Sequence, residues 1–139
     1  MRTRSYLVSF GIIVIVVLAV IPARAHHAFS SEFDSDKPVN LVGPVSKLEW
    51  VNPHAWIHVD VTRPDGKVET WMIETGSPNV LLRRGFNKSM VQIGTVISVK
   101  GFAAKGGTLK ANGGEMTLPD GRVLLIGSTG TGAPDEKKK

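Results

Sequence analysis

Between Ala55 and Val61 the chain alternates strictly. Ala55, Ile57, Val59 and Val61 take one parity, and Trp56, His58 and Asp60 take the other. A period of two marks a strand with one buried face, because successive side chains point to opposite sides of a sheet. The following Arg63-Pro64-Asp65-Gly66-Lys67 supplies a turn, proline presetting one dihedral and Asp-Gly accepting left-handed backbone. Val68–Glu74 is therefore expected to return as the partner strand of an antiparallel hairpin, and the rest of the chain must be built around that pair.

The flanking segments extend the β pattern. Val39–Val51 reads as a first strand with Leu41, Val45 and Leu48 apolar, Gly43-Pro44 marking a bulge or sharp bend and Asn52-Pro53 ending it. One short helix is expected between Thr75 and Gly85: Ser77 caps it, Pro78 suits its first position, and Gly85 allows a left-handed exit. Arg83 and Arg84 in its last turn complement the helix dipole. Gly94–Phe102 predicts a fourth strand. Beyond the glycine-rich stretch from Lys105 to Gly114, Met116-Thr117-Leu118 and Arg122–Ile126 predict a terminal hairpin or bent fifth strand around Pro119-Asp120-Gly121.

This order predicts an all-β fold, a small five-stranded OB-like Greek-key barrel over residues 39–127 with one short helix between strands 3 and 4. An open β-sandwich is the alternative. Residues 26–38 are expected as an extended arm anchored by Phe29 and Phe33, and residues 128–139 as a disordered tail. The chain has 139 residues and no cysteine, which excludes disulfides, thiolate metal sites and a cysteine nucleophile.

Residues 1–25 read as a signal peptide. Arg2 and Arg4 precede an apolar run from Tyr6 to Ile21, and Ala23-Arg24-Ala25 follows as a cleavage site. That run falls short of the roughly 20 apolar residues that span a bilayer. Membrane contact is therefore expected only through the uncleaved leader, and the mature protein is expected to be periplasmic or secreted. Losing Arg2, Arg4 and Arg24 leaves 14 basic against 12 acidic residues, so the formal charge falls from +5 to +2. With Lys137–Lys139 in the tail, too little basic surface remains for nucleic acid to be the expected partner.

Three ordered motifs carry a family likeness: His26-His27-Ala28-Phe29; Glu49-Trp50-Val51-Asn52-Pro53-His54-Ala55-Trp56; and Glu74-Thr75-Gly76-Ser77-Pro78-Asn79 followed by Leu81-Leu82-Arg83-Arg84-Gly85. Together they resemble an uncharacterised family of small exported proteins from Gram-negative bacteria. The resemblance implies export and a single domain of unknown function, with no assigned activity or site residues.

The histidines are the first candidates for chemistry. Cleavage after Ala25 gives His26 a free amine beside its imidazole, and an added imidazole from His27, His54 or His58 would complete a nitrogen-rich site of the kind copper(II) favours. The ligand pattern resembles a histidine brace. Strand residues four apart have Cα atoms about 13 Å apart at roughly 3.3 Å per residue, so His54 and His58 are expected to serve alternately rather than together. Asp60, on the same parity, could orient a ligating imidazole.

Thioethers form a softer set, similar to that of small exported OB-fold copper chaperones. Met72 follows Trp71, while Met90 and Met116 lie far off, so core filling accounts for them better. The alternative to copper is a metal-free module that meets an envelope protein or small ligand through the Trp56/His58 face and the loop from Glu74 to Asn79. Ser77 and Asn79 there could hold an anion, although capping accounts better for Ser77. No nucleophile elbow or phosphate loop occurs, so catalytic residues are not expected.

Overall fold

The computed structural model describes residues 29–134. The expected signal peptide, residues 1–25, and the candidate ligands His26 and His27 lie outside the described residues. Among the described residues no helix is long and apolar enough to cross a membrane.

A single helical turn, α1 (Phe29–Glu32), leads into β1 (Phe33–Glu49), followed by β2 (Trp56–Thr62) and β3 (Val68–Glu74). Then come α2 (Pro78–Arg83), a 3-10 turn (Lys88–Met90), β4 (Val96–Ala104), β5 (Lys110–Thr117) and β6 (Val123–Leu125). The fold is all-β, one six-stranded sheet in the order β3-β2-β1-β4-β5-β6. A further parallel pairing of β3 with β5 joins the sheet into a ring, through Met72–Lys110, Ile73–Ala111 and Glu74–Asn112. The expected terminal hairpin is present as β5 and β6.

The β2–β3 hairpin runs in continuous register from Trp56–Glu74 to Thr62–Val68. Its turn closes through Arg63 N to Lys67 O at 2.8 Å, with Gly66 at φ +82°. Parity holds as read from the sequence: Ile57 and Val59 are fully buried, while Trp56, His58 and Asp60 face outward, half-buried. The helix also forms as expected. Ser77 Oγ accepts from Val80 N at 3.4 Å, Pro78 opens α2, and Gly85 leaves it at φ +83°.

β1 is long because it serves two neighbours. Its first part pairs with β4 from Phe33 to Pro44, and its last part pairs with β2 from Val45 to Glu49. The handover requires Gly43, where an added Cβ would lie 2.0 Å from Asp60 O. Gly101 is confined likewise, since a Cβ there would sit 2.0 Å from Asn112 O on β5. Inside the ring pack Ile57, Ile73, Leu81, Phe86, Ile97 and Met116 with their neighbours. Trp50 meets Phe86 edge-on at 5.6 Å between centroids.

Two segments depart from expectation. Within the anticipated arm, Phe29–Glu32 is helical and β1 already begins at Phe33, because Phe29 and Phe33 bury themselves with Ala104 and Ala133, against Phe102. Of residues 128–134, expected within a disordered tail, Ala133 joins this second cluster and Ser128 bonds to Thr75 O. Ala133 is buried, and Phe29 N donates to Thr131 O at 2.9 Å.

Overpacking costs roughly 1–3 kcal/mol in a filled site. Gly101→Ala is expected to destabilise the fold by at least about that much, while Gly106→Ala, with open space at its Cβ, should stay within about 1 kcal/mol. Urea unfolding followed by tryptophan fluorescence measures both.

Candidate functional site

The β2–β3 register sets Trp56 opposite Glu74, and the β3–β5 pairing sets Lys110 opposite Met72 and Asn112 opposite Glu74. Trp56, Glu74 and Lys110 open onto a cleft of about 570 Å³, walled also by Ser31 and Glu32 of α1 and by the segment from Val51 to His54. The size falls within the usual range of small-ligand sites. The Asn52–Pro53 peptide at its rim is cis.

Lys110 crosses the cleft. Its ammonium pairs with Glu32 and lies 4.7 Å from the Trp56 ring centroid and 6.0 Å from that of Phe33. An ammonium over an indole face is attracted by the negative potential of the ring. Glu74 lies deeper, only 8% exposed.

His54 is held by the backbone. Its Nδ1 is 3.1 Å from Thr75 O and 3.1 Å from Ser128 Oγ, and Ser128 Oγ in turn donates to Thr75 O at 3.1 Å. A carbonyl oxygen only accepts, so all three contacts are satisfied when Nδ1 carries a proton, and in the neutral ring that leaves the lone pair on Nε2. Glu74 Oε1 is 3.9 Å from the same Nδ1. Ser128, His54 and Glu74 thus resemble a hydrolytic triad in composition but not in geometry. Hydroxyl and carboxylate approach one ring nitrogen, and the buried Ser128 spends its proton on a carbonyl.

His58 is committed differently. Its Nε2 is 2.7 Å from Glu49 Oε1, which also accepts from Lys47 Nζ at 3.0 Å. The Lys47 ammonium, and after it the His58 ring, hold the Glu49 carboxyl below the usual carboxylate range. No group of three or more His, Asp or Glu side chains able to hold a metal ion occurs among the described residues.

Of the residues singled out in the sequence, the structure brings together His54, Trp56 and Glu74. It does not bring Asp60, which accepts from Thr70 Oγ1 at 2.7 Å and Ser46 Oγ at 3.0 Å and bonds to no imidazole among the described residues. The orienting role expected of Asp60 falls to Thr75 O for His54 and to Glu49 for His58. Ser77 is occupied as the α2 cap, and Asn79 is exposed on that helix. Met116 is fully buried, Met90 packs on the core, and Met72 is exposed.

No local pattern marks Glu32 or Lys110. Lys110 sits in a glycine-rich stretch and is placed by the parallel pairing, and Glu32 comes to it from the end of α1.

The family of unknown function DUF6152 matches residues 14–113 of the chain, a span that holds every cleft residue. No curated protein matches, and no solved structure matches.

Two measurements follow from the histidine geometry. Long-range ¹H–¹⁵N NMR, at a pH where both rings are neutral, should find opposite tautomers: Nδ1–H for His54, also in Ser128→Ala, and Nε2–H for His58. A carboxyl titration should place Glu49 below the ordinary range, and Lys47→Ala should raise it. A lowered folded-state pKa stabilises above the unfolded-state range and loses that contribution as pH falls through the folded value. The stability gap between wild type and Glu49→Gln should therefore narrow on acidification.

Proposed function

The chain belongs to the DUF6152 family, and we propose that it is an exported single-domain binding or accessory protein whose ligand occupies the cleft beside Trp56. The fold is read as an OB-like Greek-key barrel. Its support is the circuit of pairings β1-β2-β3-β5-β4-β1 with a short helix between β3 and β4.

One observation carries the binding reading. Segments far apart in sequence deliver an indole, an imidazole, two carboxylates and an ammonium to a single open concavity. Core packing needs none of these groups there, whereas a site that orients a ligand needs several. The place of action is the periplasm or the exterior, from the leader. The ligand is a small molecule or a segment of an envelope protein.

A specific observation also favours copper(II) as a cofactor. His54 has the preparation a metal ligand needs, with Nδ1–H tied to a carbonyl and Nε2 left as a donor. It stands in a cleft walled by Ser31 and Glu32, a few residues along the chain from His26 and His27. His58 has its Nε2 engaged by Glu49. His54 is thus the better partner for the amine and imidazole of His26.

A fragment titration of the mature protein tests the cleft: bound fragments should shift the Trp56 indole N–H and lose that effect in Trp56→Ala. Hits confined to Trp50, Trp71 or the β4–β6 face would displace the reading. For copper(II), His26→Ala, His54→Ala and a form retaining one extra N-terminal residue should each weaken binding at least about tenfold, roughly 1.4 kcal/mol, while His58→Ala should not. Equal affinity in all forms would leave the metal-free module.

A further inference from the structure

The cleft already contains a cation. The Lys110 ammonium lies over Trp56 and against Glu32, tethered through its side chain to the start of β5. Setting that ammonium aside, the charge on the described walls has one sign. Glu32 and Glu74 are carboxylates, the indole face is negative, and the neutral His54 ring with Nδ1–H on Thr75 O offers a lone pair at Nε2. We propose that the cleft binds ligands bearing an alkylammonium group, and that Lys110 is an internal stand-in which withdraws when such a ligand enters. This rests on the reading of the cleft as the ligand site.

The opposite assignment, a carboxylate ligand replacing Glu32 on Lys110, is weaker on the same geometry. An incoming anion would gain one ammonium but would face Glu74 and the negative face of Trp56. An incoming ammonium that replaces Lys110 gains Glu32 and the ring. Lys110 can withdraw without a backbone change: its side chain is long, flexible and partly exposed, while Met72 N holds the backbone beside it through Leu109 O at 2.9 Å.

A tethered competitor lowers the apparent affinity by the fraction of time it occupies the site. Removing its charge must therefore tighten binding. The test uses the full mature chain at fixed ionic strength with a chelator present, the Trp56 indole N–H as reporter, and three probes of one shape: n-butylammonium, butyrate and n-butanol. Butylammonium should shift the reporter in wild type and bind about tenfold more tightly to Lys110→Met and Lys110→Gln. Glu32→Gln added to either should weaken it several-fold. The two replacements guard against one of them misfolding.

Equal affinity in wild type and both Lys110 variants would overturn the stand-in role. A response to butyrate as strong as that to butylammonium would overturn the cationic ligand class and leave the cleft as a ligand site. Silence of the reporter toward all three probes, in every form, would overturn the proposal. The fragment titration then decides separately whether the cleft is a site at all.

Discussion

Three residue pairs hold this architecture together. Met72, Ile73 and Glu74 run parallel to Lys110, Ala111 and Asn112, and without that contact β3 and the first residues of β5 would present unpaired edges, β6 covering only Glu115–Thr117. Exposed edges invite pairing with other chains, so a sheet of this size must cover or join them. The joint is possible because little stands in its way. Gly113 passes where a Cβ would lie 2.7 Å from Ile73 Cγ2, and Gly101 passes the Asn112 carbonyl with no room for a side chain. The same joint builds the cleft, since it alone carries Lys110 to the ring of Trp56.

The two described histidines show how a sheet assigns different chemistry to one residue type. His58 is within β2 and meets its neighbour β1 through Glu49, a contact between side chains on one outer face. His54 precedes the strand. Free of the ladder, its ring turns to the backbone at Thr75, where an acceptor fixed by the fold determines which nitrogen keeps the proton. One ring is held by a charged and partly exposed carboxylate. The other is held by a carbonyl whose acceptor character does not change with pH.

What the sequence reveals of this structure follows the range of the interactions. The β2–β3 hairpin is legible because its period and its Pro-Asp-Gly turn are local, and α2 is legible because Ser77, Pro78 and Gly85 act within one segment. The start of β1 is hidden. Asp34, Ser35, Asp36 and Lys37 read as a polar arm, and only burial of Phe33 beside Ala104 draws them into a strand. Residues 128–134 are hidden for the same reason, as their composition says nothing of the Thr131 carbonyl that accepts from Phe29. Parity correctly turned Trp56, His58 and Asp60 outward, yet could not separate them. Asp60 is satisfied by hydroxyls of β1 and β3, neighbours that a reading of β2 alone does not contain.

The copper reading and the alkylammonium reading draw on one property of the cleft. Both need donors with lone pairs or negative charge, and both place positive charge where Lys110 now stands or close to it. Within a low-dielectric concavity two like charges a few ångströms apart repel strongly. A metal ion and the Lys110 ammonium would therefore compete unless the metal sits on the His54 side, away from the indole. The flexible lysine then gains a second meaning, as a charge that keeps Glu32 paired while the site is empty. A lysine that can leave allows the same carboxylate to be compensated before a ligand arrives and available once it does.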